Sequence, residues 1–293
     1  MKYLFYPGCS MHGSALEYQT SMLAVLEAMG AEIKELDDWT CCGASVASVM
    51  SDLLGLVLPA RNLALAQAAE GGRPLLVGCS SCYTNLRRTA LAAANPATLA
   101  KINQALKVEN LTYHGAAPGE TRHLLDVLAN DFGPDAIRAC VKRPLTGLKV
   151  APYYGCQTVR PYSPFDDSQH PNSMVGILEA LGATVYHYSH EATCCGTALL
   201  TTKPHVGFEI VGQILDGASA ADCLAAVCPM CHLNLDSYQD HVSKALARSE
   251  PINIPVLFLP QLIGLAFGLP DDQLLLKRHV VSAAPVLARL PTR

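Results

Sequence analysis

The chain opens on a short, nearly all-apolar run at residues 2–6, KYLFY, stopped by Pro7 and Gly8. Such a run predicts a buried strand. A helix is predicted over residues 14–29, where Met22, Leu26 and Met29 share a face at i, i+4 and i+7 and Gly30 supplies the stop. Residues 31–36 read as a second strand. A helical stretch follows, interrupted at Pro59 and resumed over 61–70. A third, wholly apolar strand at 74–77 ends at Gly78; a polar helical region at 84–106, a fourth strand at 108–113 and a helix at 120–128 complete this half.

The order then recurs. Strands are predicted at 148–153, 184–188, 223–227 and 255–259, with helices at 173–183 and 208–216 and a Pro-rich insert at 161–171. SMVGILEALGA at 173–183 agrees with SMLAVLEAMGA at 21–31 at seven of eleven positions. Helical periodicity alone does not demand the same Ser, Met, Glu and Gly, so the agreement indicates duplication. Alternating strands and helices predict parallel sheets with right-handed crossovers. The expected fold is α/β: two tandem, pseudo-symmetric, Rossmann-like subdomains, 1–144 and 145–293, the second ending in a helical tail from about residue 271.

Composition narrows the classes. Half of the 293 residues are hydrophobic and 16% are charged, with a net charge of −4 and no basic block. No phosphate-neutralising surface is visible, so no nucleic-acid partner is expected. The most apolar segment, 254–269, is short and holds Pro255 and Pro260, and no transmembrane segment is expected. The N-terminal apolar run is too short for a signal peptide, which places the chain in the cytoplasm.

Twelve cysteines in a reducing compartment point to metal or redox chemistry rather than to disulfides. Ten of them follow one pattern used twice: Cys9, Cys41, Cys42, Cys79 and Cys82, then Cys156, Cys194, Cys195, Cys228 and Cys231. Each set is a cysteine, a Cys-Cys-Gly and a Cys-x-x-Cys, and each station follows a predicted strand. In a parallel sheet those strand ends share one edge, where ligands bind. Five thiols per half could meet there around an iron–sulfur cluster. Structural zinc is the alternative, although it needs four ligands and leaves one thiol over. Cys228-Pro-Met-Cys231-His232 matches the c-type haem string, but Tyr83 takes the histidine's place in the first half. A thioredoxin-type dithiol would leave both Cys-Cys pairs idle.

The segments FYPGCS, DWTCCGAS, LPARNLALA and VCPMCHLNLD, with the doubled cysteine pattern, resemble the CCG domains in the B-type subunits of heterodisulfide reductases over nearly the whole chain. The gap of 31 residues between Gly196 and Cys228 is shorter than that family usually shows. The resemblance implies an oxidoreductase acting on sulfur groups. All ten cysteines would ligate two noncubane 4Fe-4S clusters, at which a disulfide or sulfane-sulfur substrate is cleaved or formed. It further implies two partners of the heterodisulfide reductase type, a C-type subunit with cubane 4Fe-4S clusters and an A-type flavoprotein. In sulfur-oxidising relatives it also implies a substrate carried on a lipoate-binding protein. A second expectation is an electron-transfer protein like the CCG proteins of lactate and glycolate oxidation, with no sulfur substrate of its own; a third is a zinc-stabilised scaffold.

Outside the pattern, Cys223 opens an apolar strand and reads as core, and Cys140 is unassigned. His187, His190 and His232 lie close in sequence to the second set and are candidate proton donors.

Overall fold

The computed structural model describes residues 1–44, 46–69, 71–115 and 120–290. Among these the strands form two four-stranded parallel sheets with matching order, β2-β1-β3-β4 and β6-β5-β7-β8. The first comprises β1 (Lys2–Tyr6), β2 (Glu32–Glu35), β3 (Leu75–Val77) and β4 (Thr121–His123); the second β5 (Lys149–Tyr153), β6 (Thr184–Val185), β7 (Cys223–Ala226) and β8 (Val256–Phe258). The α/β class, the parallel sheets and the pseudo-symmetric repeat are as expected.

Four predicted elements differ. Residues 108–113 are no strand: Lys107–Glu109 is a 3-10 turn, Asn110 is left-handed, and Val108 is 88% exposed. The strand beside β3 is Thr121–His123, whose register pairs Leu75 with Thr121 and Val77 with His123. Its alternation supports the pairing, since Thr121 and His123 are buried while Arg122 turns outward to Asp126 and Asp131. The predicted helix at 120–128 therefore starts only at Leu124. The helical region 84–106 is two helices, Ser80–Ala92 and Pro96–Leu106, because Asn95 caps the second through Ala97 and Thr98 N–H and Pro96 suits its first turn.

The helix Leu54–Ala68 runs through Pro59 without interruption. Proline removes the donor that would serve the Gly55 carbonyl four residues earlier. Arg88 Nη2 takes that carbonyl instead, at 2.8 Å. The range predicted for this helix reached residue 70, which lies outside the described residues.

The two halves are packed into each other. Tyr3 and Phe5 of β1 share a buried cluster with Val150 of β5 and Leu257 of β8. The helix Leu16–Ala28 lies against Leu259–Phe267 of the second half, and Ser173–Ala180 against Gly133–Cys140 of the first. Both sheets thereby turn the C-terminal ends of their central strands toward one region.

Candidate functional site

The first five thiols are delivered by the turns after β1, β2 and β3. Cys9 stands in the short helix Gly8–Met11, Cys41 and Cys42 follow β2, and Cys79 caps the helix Ser80–Ala92 that holds Cys82. Cys9 Sγ lies 3.9 Å from Cys41 Sγ, and Cys42 Sγ 3.3 Å from Cys82 Sγ. Cys41 also shares a thiol hydrogen bond with Cys42, and Cys82 with Cys79, so the five free thiols form one connected group. Gly8 makes the approach possible: its φ is +65° and a Cβ there would stand 2.9 Å from Cys82 Sγ.

The second half repeats this arrangement. Cys156 opens the helix Cys156–Val159, Cys228 caps Pro229–Ser237, and Cys231 lies in its first turn. The free thiols of Cys156 and Cys194 share a hydrogen bond, as do those of Cys195 and Cys231 and of Cys231 and Cys228. Gly155 corresponds to Gly8, with φ +68° and Cys231 Sγ 3.0 Å from the place of a Cβ. Gly43 N–H points at Cys41 Sγ and Gly196 N–H at Cys194 Sγ, both at 3.4 Å. Tyr6 OH donates to Thr40 O at 2.8 Å, and Tyr153 OH to Thr193 O at 2.7 Å.

Crowded thiols share protons, so their ionisation belongs to the group. Hydrogen bonds from Cys41 and Cys82 hold the Cys42 thiol down at about 3, while Cys41, its partner, is pushed up. Cys156 does the same for Cys194, held at about 6, and Cys231 for Cys228, held well below the ordinary thiol range. Each pocket thus offers thiolate from a set of five sulfur donors. Five sulfur donors fit an iron–sulfur cluster, which needs about four thiolates around a compact core. Tetrahedral zinc would leave one thiol without a role.

The pockets touch. The free thiols of Cys79 and Cys228 face each other across the junction, and the Cys228 thiol is the largest cause of the raised Cys79 pKa. Around this point Tyr18 OH lies 3.0 Å from both Gly78 O and Val227 O, and Ser80 Oγ lies 2.6 Å from Thr158 Oγ1. Cys79 and Cys228 are buried, whereas Cys9, Cys41 and Cys194 are exposed.

The three candidate proton donors make hydrogen bonds of other kinds. His187 Nδ1 lies 3.0 Å from Glu191 Oε1 and His190 Nδ1 3.0 Å from Ser189 Oγ. His232 is buried, stacked on Phe258 and bonded through Nε2 to Val256 O, and burial drives its pKa down to about 3. Among the described residues the hydrogen bonds of these three include none to a thiol. Cys223 is core in β7, and Cys140 packs part-buried against the same core.

Asn85 and Asn234 are site residues that motif reading overlooks. Asn234 Nδ2 donates to Cys195 O at 3.1 Å, to Cys195 Sγ at 3.5 Å and to Thr197 Oγ1 at 2.9 Å. Asn85 Nδ2 makes the matching bonds to Cys42 O at 3.2 Å and Cys42 Sγ at 3.9 Å. The signal was present as Cys-x-x-Cys-x-x-Asn in both halves.

A family model for the CCG cysteine-rich domain matches residues 3–87 and 150–236. The chain is 36% identical, over 96% of its length and 98% of the relative's, to the 8-methylmenaquinol:fumarate reductase membrane anchor subunit of Wolinella succinogenes. It is 30% identical to a protein of Archaeoglobus profundus that is like the B-type subunit of heterodisulfide reductase, over 93% of each chain. It is also 30% identical to the B-type subunit of the ferredoxin:CoB-CoM heterodisulfide reductase of Methanosarcina mazei, over 90% of this chain and 89% of the relative's. A crystal structure of a hypothetical protein from Helicobacter pylori shares the fold, with a TM-score of 0.74 at 21% identity, over 96% of this chain and 52% of that one.

Proposed function

The chain belongs to the CCG cysteine-rich domain family that includes the B-type subunits of heterodisulfide reductases, and on that premise we propose that it is the electron-carrying iron–sulfur component of a multi-subunit oxidoreductase working at a membrane surface with a quinol. Each unit, 1–144 and 145–293, would hold one noncubane 4Fe-4S cluster: Cys9, Cys41, Cys42, Cys79 and Cys82 in the first, Cys156, Cys194, Cys195, Cys228 and Cys231 in the second. Bound there, such clusters supply one-electron oxidation and reduction. The chain's own residues set the path. Gly8 and Gly155 let the thiols close, Asn85 and Asn234 steady the Cys-Cys turns, and the Cys79–Cys228 contact joins the pockets sulfur to sulfur. That approach, held by Tyr18 OH at 3.0 Å from both Gly78 O and Val227 O and continuous with thiols exposed at Cys41 and Cys194, is the observation that carries the reading.

The membrane surface rests on two facts. The relative matched over 98% of its length is called a membrane anchor, yet no helix among the described residues is long and apolar enough to cross a membrane. Directly after the exposed Cys41, the segment 46–54 exposes Val46, Val49, Met50, Leu53 and Leu54, Val49 at 83% and Met50 at 76%. Apolar side chains in such a cluster suit the interfacial layer of a bilayer, where an anchor can lie without spanning.

A second reading keeps a sulfur substrate, because the heterodisulfide reductase relatives match nearly as much of the chain and exposed thiols rim both pockets. It would bring the C-type cubane-cluster partner, the A-type flavoprotein and a thiol or disulfide substrate held on a lipoate-binding carrier. Anaerobic purification of the chain with its partners separates the two. About eight iron per chain with acid-labile sulfide and oxidation of a menaquinol analogue, retained on vesicles, support the first reading. Disulfide reduction by a viologen donor without any quinol dependence overturns it in favour of the second, and zinc without sulfide sinks both.

A further inference from the structure

A second group of metal-binding side chains lies behind the second pocket. His232 and Asp236 are four residues apart on the helix Pro229–Ser237, which places them one turn apart on one face. His279 reaches them from the C-terminal segment, and the ligand atoms of all three lie within 4.8 Å of one another. His232 Nε2 is 3.0 Å from His279 Nδ1 and 2.8 Å from Val256 O. In the β7–β8 ladder Leu224 N takes Pro255 O, so the next carbonyl, Val256 O, turns to the outer edge of β8.

The surrounding bonds prepare these atoms for an ion. Gln261 Nε2 donates to Leu274 O at 2.8 Å, and its Oε1 accepts from Phe258 N at 2.9 Å, which orients the amide. Gln261 Oε1 then faces His279 Nε2 at 3.0 Å and places the imidazole hydrogen there. His279 Nδ1 is then the acceptor facing His232 Nε2, and a bound ion takes the place of the hydrogen that His232 Nε2 holds between it and Val256 O. A histidine ligand whose other nitrogen is held by an outer acceptor is the usual arrangement around a bound metal. Asp236 is 2% exposed, and its two oxygens accept Val280 N at 2.8 Å and Val281 N at 3.0 Å. The described ion pairs give it no lysine or arginine, since Arg278 is paired with Glu17 at 3.0 Å. A buried carboxylate in that position gains most from a cation.

We propose that His232 Nε2, His279 Nδ1 and the Asp236 carboxylate form a mononuclear site for a divalent cation of the zinc type, separate from the cysteine pockets, with the Val256 carbonyl as a neighbouring oxygen donor. Nitrogens 3.0 Å apart can both reach one ion at about 2.0–2.1 Å, and a carboxylate completes a borderline N/O donor set. The ion ties the C-terminal segment to the helix that carries Cys231 and is capped by Cys228. Its presence does not depend on what those thiols hold.

The test uses the full chain, purified anaerobically with its iron and dialysed against zinc. Elemental analysis is expected to give about one zinc per chain, and the zinc absorption edge only N/O scatterers near 2.0–2.1 Å. Asp236→Asn and His279→Gln are each expected to lose the zinc while iron is retained. Sulfur scatterers near 2.3 Å would put the ion in a cysteine pocket and overturn the assignment. No tightly held zinc in the unsubstituted chain would leave the group a hydrogen-bonded network only, also overturning it. The absorption edge of the unsubstituted chain decides even if a variant fails to fold.

Discussion

The hydroxyl of Tyr18 lies 3.0 Å from the carbonyl of Val227, although 209 residues separate them. The same hydroxyl lies 3.0 Å from Gly78 O, so one buried phenol reaches the residues just before Cys79 and Cys228. Its ring is stacked on Phe258 at 4.2 Å, which fixes it independently of the hydroxyl. Tyr18→Phe is therefore expected to keep the ring in place and to cost about 1–3 kcal/mol, the penalty for a buried acceptor losing its donor. Chemical denaturation reads this directly. Iron content should stay constant while the midpoint potentials shift; unchanged stability and potentials would show that the bridge is passive.

Gly155→Ala tests the fit of the second pocket. The new Cβ would stand 3.0 Å from Cys231 Sγ at a residue whose φ is +68°, so the thiol must move or the backbone must strain. Iron is expected to fall to about half, with the loss confined to one spectral component. Gly30→Ala is the control, since its φ is also positive and no atom lies within 4 Å of the added Cβ. Equal iron loss in both would attribute the effect to backbone strain and not to the thiol pocket.

Asn234→Ala removes the donor to Cys195 O, Cys195 Sγ and Thr197 Oγ1. The buried carbonyl left behind costs about 1–3 kcal/mol, and the second Cys-Cys turn should loosen first. Iron release to a chelator is expected to accelerate from one site only. Asn85→Ala should accelerate release from the other, and the two effects should add, because the residues serve different pockets.

Acid stability should depend on His123. It is fully buried, accepts Leu125 N at Nδ1 and faces Ser80 Oγ with Nε2, and burial holds its pKa at about 4. A depressed folded pKa means that the unfolded chain binds the proton first, so stability is complete above about 6.5 and falls as the pH drops toward about 4. The contribution is of the order of 3 kcal/mol at neutral pH. His123→Gln should flatten this limb of a pH-dependent denaturation series; an unchanged slope would remove His123 as its source.

Much of the architecture was legible from residues near in sequence. β1, β3, β5, β7 and β8 were apolar runs bounded by Gly, Pro or Cys, and runs of that kind have few alternatives to a buried strand. The failures came where the decisive partner is distant. Thr121–His123 carries two polar side chains and one charge, and becomes a strand because β3 offers it a free edge. Pro59 sits mid-helix because Arg88 takes the carbonyl that proline abandons. Asn95 was a cap visible in the sequence and outweighed by the helical pattern around it.

By itself the order of residues determined that ten thiols fall into two sets of five on one repeated pattern, each set at the ends of parallel strands, since spacing and local pattern are properties of the chain alone. Only the tertiary structure decided that the two sets meet through Cys79 and Cys228, that Tyr18 ties their approach, and that His279 arrives beside His232 and Asp236. Those contacts join segments far apart in the chain, and their geometry is set by how the two sheets and their exchanged helices pack, which no local periodicity encodes.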